Sequence, residues 1–153
     1  MDNSFSHSPL LTAGFYGGNL TAFITILAIF RDPVYLAGFI AGYFFNKWLN
    51  GVLKSAIRDE RPNNPILFYG GEKGERWGFP SGHTQMAAYS FVFLLLSAPK
   101  RWELLLLSGT VVILTAIQRY MYNQHTPIQL IAGLFVGAFV AGIFVFLLSR
   151  WRQ

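Results

Sequence analysis

Two histidines carry the chemistry open to this chain. His83 lies in Gly78-Phe79-Pro80-Ser81-Gly82-His83, and His125 ends Arg119-Tyr120-Met121-Tyr122-Asn123-Gln124-His125. Upstream, Lys54-Ser55-Ala56-Ile57-Arg58-Asp59-Glu60-Arg61-Pro62 supplies further cations. An imidazole can act as nucleophile, base or acid near neutral pH. Lysine and arginine meet phosphate oxygens, arginine in a fixed fork. Three cations (Lys54, Arg61 and Arg119), two imidazoles and a Ser-Gly helix start could therefore bind a phosphate group and pass it to histidine.

The elements that must position these groups are short to describe. Lys54 and Arg61 are seven residues apart, so a helical end would put them on one face, with Arg58 beside them, before Pro62 stops the helix. Snorkelling bases at a helix end are the ordinary alternative, and it is favoured for Arg58. Ser81 is a natural N-cap, the free N–H groups after it favour an anion, and Gly82 permits close approach of backbone. His125 precedes Thr126-Pro127-Ile128-Gln129, which reads as a capping box with Pro127 at the first helical position. A phosphate on His125 would then lie near both that helix start and Arg119.

Composition sets the surroundings. Of 153 residues, 53% are apolar and 12% charged, about half the charge of an ordinary soluble domain. The apolar residues come in blocks, as in an integral membrane protein. No cysteine is present, which excludes disulfides and thiolate metal sites. The net charge of +5 is spread over short connections and points to topology and anionic headgroups, with no nucleic acid as partner. The expected fold class is all-α, a multi-span membrane helix bundle of about five transmembrane helices. The spans are placed at roughly 10–30, 33–53, 81–98, 102–121 and 127–148, in a single domain covering 1–153 with an active-site loop at 54–80. The first block is diluted by Gly14, Gly17, Gly18 and Asn19, and a half-span is the alternative. No basic stretch or cleavage site marks it as a leader, so it is expected to stay in the membrane.

Trp48, Trp77, Trp102 and Trp151 fall near expected span ends, as an interfacial belt would. Gly38 with Gly42, and Gly133 with Gly137, are small-xxx-small pairs suited to close packing within the bundle, a homo-oligomer seam being the other use. Arg31, Lys100, Arg101, Arg150 and Arg152 share one expected face, opposed only by Asp32 and Glu103. The positive-inside rule puts that face in the cytoplasm and the motifs on the other side.

In order and spacing, Lys54-x6-Arg61-Pro62, Pro80-Ser81-Gly82-His83 and Arg119-x5-His125 resemble the three signatures of the type 2 phosphatidic acid phosphatase superfamily. The motifs cover about half of the chain. Two positions depart from the general pattern Ser-Arg-x5-His-x3-Asp: Gln118 stands for the serine and Gln129 for the aspartate. His125-Thr126-x2-Gln129, followed by a Gly-x3-Gly-like helix, resembles the dolichyl-diphosphatase branch.

The resemblance implies a membrane phosphatase that cleaves a polyprenyl (dolichyl-type) diphosphate to the monophosphate. It implies His125 as nucleophile, forming a phosphohistidine, and His83 as acid and then base. It implies Lys54, Arg61, Ser81, Gly82 and Arg119 as phosphate ligands. Gln129 would orient the nucleophile without adding the charge of an aspartate. No cofactor and no metal are expected, because the cations already answer the phosphate. The partners are a membrane lipid and the bilayer. The membrane is the ER with a lumenal site, or a bacterial plasma membrane with an external one. The alternatives are a phosphatidate or phosphatidylglycerophosphate phosphatase, and a catalytically silent lipid-binding member of the same fold. His7 is read as incidental, Asp59 and Glu60 as solvated partners of Arg58 and its neighbours, and Phe68, Tyr69, Trp77 and Phe79 as interfacial or lipid contacts.

Overall fold

The computed structural model describes residues 8–67 and 75–152; His7, Phe68 and Tyr69 lie outside them. Among the described residues six helices follow one another: α1 (Pro9–Phe15), α2 (Gly17–Ile29), α3 (Pro33–Ile57), α4 (Gly82–Ser97), α5 (Trp102–Met121) and α6 (Pro127–Trp151). Among the described residues no strand forms, only an isolated antiparallel bridge between Glu60 and Trp77. The all-α expectation therefore holds.

Local sequence explains most boundaries. Asp32 accepts from the Tyr35 amide at 3.2 Å and caps α3, whose first residue is Pro33. The Thr126–Gln129 capping box forms in full and starts α6 at Pro127. The expected first span is broken. α1 and α2 meet at Tyr16 with a 77° bend, and on either side of it Gly14 and Gly17 lie directly against α5. A side chain at Gly14 would meet Gln118 Cβ at 2.9 Å, and one at Gly17 would overlap Thr115.

By length and composition α5 and α6 can each cross a membrane, and the bent pair α1–α2 would be a third crossing. α3 has 25 residues but carries Asn46, Lys47, Asn50 and Lys54 in its second half, and α4 has only 16 residues. The outer surface of the bundle is apolar, with Phe23, Leu27, Phe44, Ile113, Phe135 and Phe139 exposed, as lipid-facing helices require.

α3 and α5 run toward the motif end and α4 and α6 run away from it, so one end of the bundle gathers all three motifs. At the other end Arg152 pairs with Asp32 at 2.6 Å. The Gly133–Gly137 pair holds α6 against α4: side chains there would overlap Thr84 and the Gln85 carbonyl. Gly38 and Gly42 do the same for Leu148 and Phe144 of α6 and Tyr89 of α4. Both pairs serve packing within the chain. An apolar core of Ile29, Phe39, Tyr89, Phe93, Val140, Ala141 and Val145 fills the half away from the motifs, and Tyr89 donates to the Phe39 carbonyl at 2.9 Å.

Candidate active site

The first motif reaches the site by a route other than a helical face. α3 ends at Ile57, and Arg58 turns left-handed at φ 54°. Arg61 therefore lies in extended chain beyond the helix, next to the bridge between Glu60 and Trp77. Lys54 and Arg61 converge through Glu75 instead. Lys54 Nζ pairs with the Glu75 carboxylate at 2.8 Å, while Arg61 Nε donates to the Glu75 carbonyl at 2.7 Å. Arg58 is exposed and donates to the Ser55 carbonyl, outside the cluster, as expected.

The hydrogen bond of Glu75 to Lys54, and the charge of that lysine, hold the Glu75 carboxyl below the usual range. It thus occupies the cation that a phosphate would need.

Arg61 also bridges to the third motif. Its Nη1 donates to Gln124 Oε1 at 3.1 Å and lies 3.4 Å from His125 Nε2. Burial lowers the affinity of the Arg61 guanidinium for its proton, and the Glu75 charge offsets part of that. His125 is buried, and its other ring nitrogen, Nδ1, lies 3.1 Å from Gln129 Oε1.

The orientation of the Gln129 amide follows from its backbone partners. Its oxygen also faces the Thr126 N–H at 3.2 Å, a group that can only donate. Its nitrogen faces the Glu60 carbonyl at 2.9 Å, a group that can only accept. The amide oxygen must therefore point at Nδ1, so Nδ1 carries the proton. The lone pair of neutral His125 is then on Nε2, the atom beside Arg61. Burial, followed by the charge of Arg61, pushes the His125 pKa down to about 3 against the opposing pull of Gln129. The imidazole is neutral at pH 7.

Gln129 has a further partner. Its Nε2 donates to Asp59 Oδ2 at 2.7 Å. Asp59 is exposed, as a solvated carboxylate would be, but among the described residues it pairs with Gln129 and not with Arg58. Glu60 pairs with exposed Arg76 at 2.6 Å. A side chain at Gly78 would lie 2.5 Å from Gln129 Oε1, so position 78 must stay bare for the amide to fit.

Ser81 stands at the N-cap of α4, but its hydroxyl makes no cap bond. Its Oγ is buried without a hydrogen-bond partner among the described residues, as are Arg119 Nε and Nη2. Arg119 lies over the Phe15 ring at 4.8 Å, and the same ring packs against His83 at 5.9 Å. Gln118 is buried with neither amide atom paired among the described residues, and nothing in the structure explains the glutamine there.

A cavity of about 580 Å³ lies beside these groups; His125, Ser81 and Arg119 are not among its lining residues. Lys54, Arg61, His83 and Gly82 line its inner end, and Asn50 and Lys47 continue it along α3. Phe15, Tyr16, Tyr43 and Met86 give it apolar walls. Trp77 and Phe79 are not part of that wall; Trp77 stacks with Arg76 instead. The apolar lining comes from Phe15 of α1, Tyr16 after it, Tyr43 of α3 and Met86 of α4.

The sequence pattern of the PAP2 superfamily matches residues 35–153. The chain is 24% identical to a dolichyldiphosphatase of Saccharomyces cerevisiae over 88% of its own length and 65% of that protein. It is 27% identical to dolichyldiphosphatase 1 of Homo sapiens over 80% of its length and 56% of the relative. It thus spans less than two thirds of either. The crystal structure of a transmembrane PAP2-type phosphatidylglycerolphosphate phosphatase from Bacillus subtilis superposes with a TM-score of 0.58 at 19% identity, covering 99% of this chain and 87% of that one. With the apolar helices, these relatives point to a membrane protein.

Proposed function

This chain belongs to the PAP2 superfamily over residues 35–153, and on that premise we propose that it is a membrane lipid phosphatase converting a polyprenyl diphosphate to the monophosphate. The observation that carries the reading is the fixed ring of His125, with Nδ1–H held by Gln129 and the Nε2 lone pair beside Arg61. His125 Nε2 attacks the terminal phosphorus, and the bond from phosphorus to the bridging oxygen breaks. His83 gives its proton to the departing polyprenyl monophosphate. It then takes a proton from water, which attacks the phosphohistidine, frees inorganic phosphate and restores Nε2.

Lys54, Arg61 and Arg119 bind the equatorial oxygens, with Ser81 Oγ and the Gly82 amide at the start of α4. Ser81 Oγ and Arg119 Nε and Nη2 are buried without partners among the described residues, which supports that role. Substrate phosphate displaces Glu75 from Lys54. Three cations answer the charge, so the reading requires no metal.

Two features favour a diphosphate. Its leaving group is a phosphate monoester, which departs more readily than a lipid alkoxide and suits a histidine with no carboxylate bonded directly to it. Lys47 also lines the cavity two turns before Lys54 on the same face of α3, where the second phosphate would meet a cation. The polyprenyl chain would follow Tyr16, Tyr43 and Met86 toward the bilayer. The domain reading keeps one unit with about five crossings, α1–α2 counted as one, and the basic face of Lys100 and Arg101 in the cytoplasm.

The test is phosphate release by detergent-purified protein from a polyprenyl diphosphate, phosphatidate and phosphatidylglycerophosphate, with EDTA present. Release from the diphosphate, with an acid-labile phosphoenzyme lost in His125→Ala, is the expected result. A tenfold preference for phosphatidate, about 1.4 kcal/mol in the transition state, would overturn the substrate. Activity lost in EDTA and restored by Mg²⁺ would overturn metal independence.

A further inference from the structure

The general family pattern places a carboxylate four residues after the nucleophilic histidine, and this chain has Gln129 there. We propose that the missing carboxylate is supplied by Asp59 of the first motif, acting on His125 through the Gln129 side chain as a positioning residue. The inference rests on His125 being the nucleophile, as read above.

The geometry is a continuous chain of three groups. Asp59 Oδ2 accepts from Gln129 Nε2 at 2.7 Å, and Gln129 Oε1 accepts from His125 Nδ1–H at 3.1 Å. A carboxylate on the N–H side of an amide draws its electron density toward the oxygen and strengthens that oxygen as an acceptor. The demand arises when Nε2 takes the phosphoryl group. The ring then carries both the Nδ1 proton and the Nε2–phosphorus bond, and becomes cationic. Gln129 alone meets that charge with a dipole. Gln129 backed by Asp59 meets it with a dipole and a nearby negative charge.

The surroundings are built to hold this chain in place. The Gly78 amide donates to the Asp59 carbonyl at 2.7 Å, which fixes the backbone carrying the carboxylate. Gly78 itself leaves the space that Gln129 Oε1 occupies. The Glu60 carbonyl takes a second bond from Gln129 Nε2, so the amide cannot turn over without losing both acceptors. Asp59 and Gln129 are seventy positions apart, and no ion pair among the described residues engages the Asp59 carboxylate. The other charged or titratable groups around the imidazole are Arg61, Arg119, Lys54 and His83, which are cations or potential cations. Asp59 is the carboxylate connected to the ring by hydrogen bonds.

A double-mutant cycle tests this, with Asp59→Asn made in the native chain and in Gln129→Asp. The readouts are kcat, KM and the acid limb of kcat/KM on whichever lipid phosphate the native protein cleaves. In the native chain Asp59→Asn should lower kcat by roughly three- to tenfold with KM within about twofold, the scale of one charge acting through one intervening group. The acid limb should move to lower pH, because loss of the carboxylate makes the His125 cation harder to form. In Gln129→Asp, which puts a carboxylate directly on Nδ1, the same change should cost less than about twofold.

Equal losses in both backgrounds would show that Asp59 only supports the fold, and would overturn the inference. So would an unchanged kcat in active Asp59→Asn. If Gln129→Asp does not fold, the pH limb decides alone: a limb that stays in place overturns the inference. In each of these cases the phosphatase reading stands. A native protein that releases phosphate from no lipid would overturn that reading and this inference with it.

Discussion

Two clusters of buried polar side chains occupy the motif half of the bundle, and they are finished in opposite ways. Between α3 and α4, Gln85 Nε2 donates to Asn46 Oδ1 at 2.8 Å and to the Asn46 carbonyl at 2.9 Å, and Gln85 Oε1 accepts from Asn50 Nδ2 at 2.8 Å. Asn50 Nδ2 continues to the Pro80 carbonyl at 3.1 Å. Donors meet acceptors throughout. At the site, Ser81 Oγ and two nitrogens of Arg119 are buried without partners among the described residues. A buried polar group left unpaired is costly, and a buried charge more so. The first cluster holds helices together. On the proposed reading, the second holds unpaired donors for the substrate phosphate.

The difference is most exposed at His125. His125→Ala should reduce phosphate release by on the order of a thousandfold or more, since covalent catalysis has no substitute route through water. The unfolding midpoint in detergent should change little in comparison. Near-normal activity would place the nucleophile elsewhere.

Arg119 separates the two kinds of cluster next. Arg119→Met should lower kcat/KM by roughly a hundredfold, the scale for one transition-state donor. It should also leave stability unchanged or raised by about 1–2 kcal/mol, because an incompletely paired buried cation gives way to an apolar side chain of similar volume. Gln85→Leu should do the reverse. Removing that amide strands Asn46 and Asn50 and should cost about 1–3 kcal/mol of stability, with a smaller loss of activity than Arg119→Met. Thermal unfolding and initial rates on the same three proteins decide the matter. A loss of stability in Arg119→Met larger than in Gln85→Leu would mean the site is held together by its own contacts.

These clusters were not equally legible in the sequence. α5 lies at 102–121 as expected, and α3 and α6 begin at Pro33 and Pro127, because proline, cap and apolar run all act within a few residues. The capping box at Thr126 and Gln129 could be read for the same reason. The two histidines, Lys54, Arg61 and Arg119 could be grouped as site candidates by type and spacing. What could not be read is long-range. The bend at Tyr16 is flanked by Gly14 and Gly17 lying against α5. The placing of Arg61 depends on the Glu60–Trp77 bridge after α3 ends at Ile57. Asp59 meets Gln129 across seventy positions, with no local pattern to announce it. The expectation of a helical Arg61 overlooked that a residue ahead of proline avoids the helical region.

The smallest effect belongs to Glu75, and it tests whether the two clusters really differ in kind. The satisfied amides need nothing from outside, whereas Lys54 is satisfied at present by a carboxylate that a phosphate would have to replace. The Lys54 side chain is 10% exposed and that of Glu75 is 74% exposed, so the pair is buried on one side only. Solvent screens such a pair, and its worth as a competitor is small. Glu75→Gln keeps the shape and the hydrogen-bonding oxygen but removes the charge. Substrate then displaces a neutral amide instead of an ion, and KM for a lipid phosphate should fall by no more than about fivefold, the most that a pair with one exposed partner can contribute. The transferring group is bound with Glu75 already displaced, so kcat should stay within about twofold. The effect should also fade in high salt, which weakens the pair in the native chain first. A rise in KM would show that Glu75 holds Lys54 and Arg61 in place for the substrate. A fall in kcat with KM constant would mean that Glu75 still acts after the phosphate has bound.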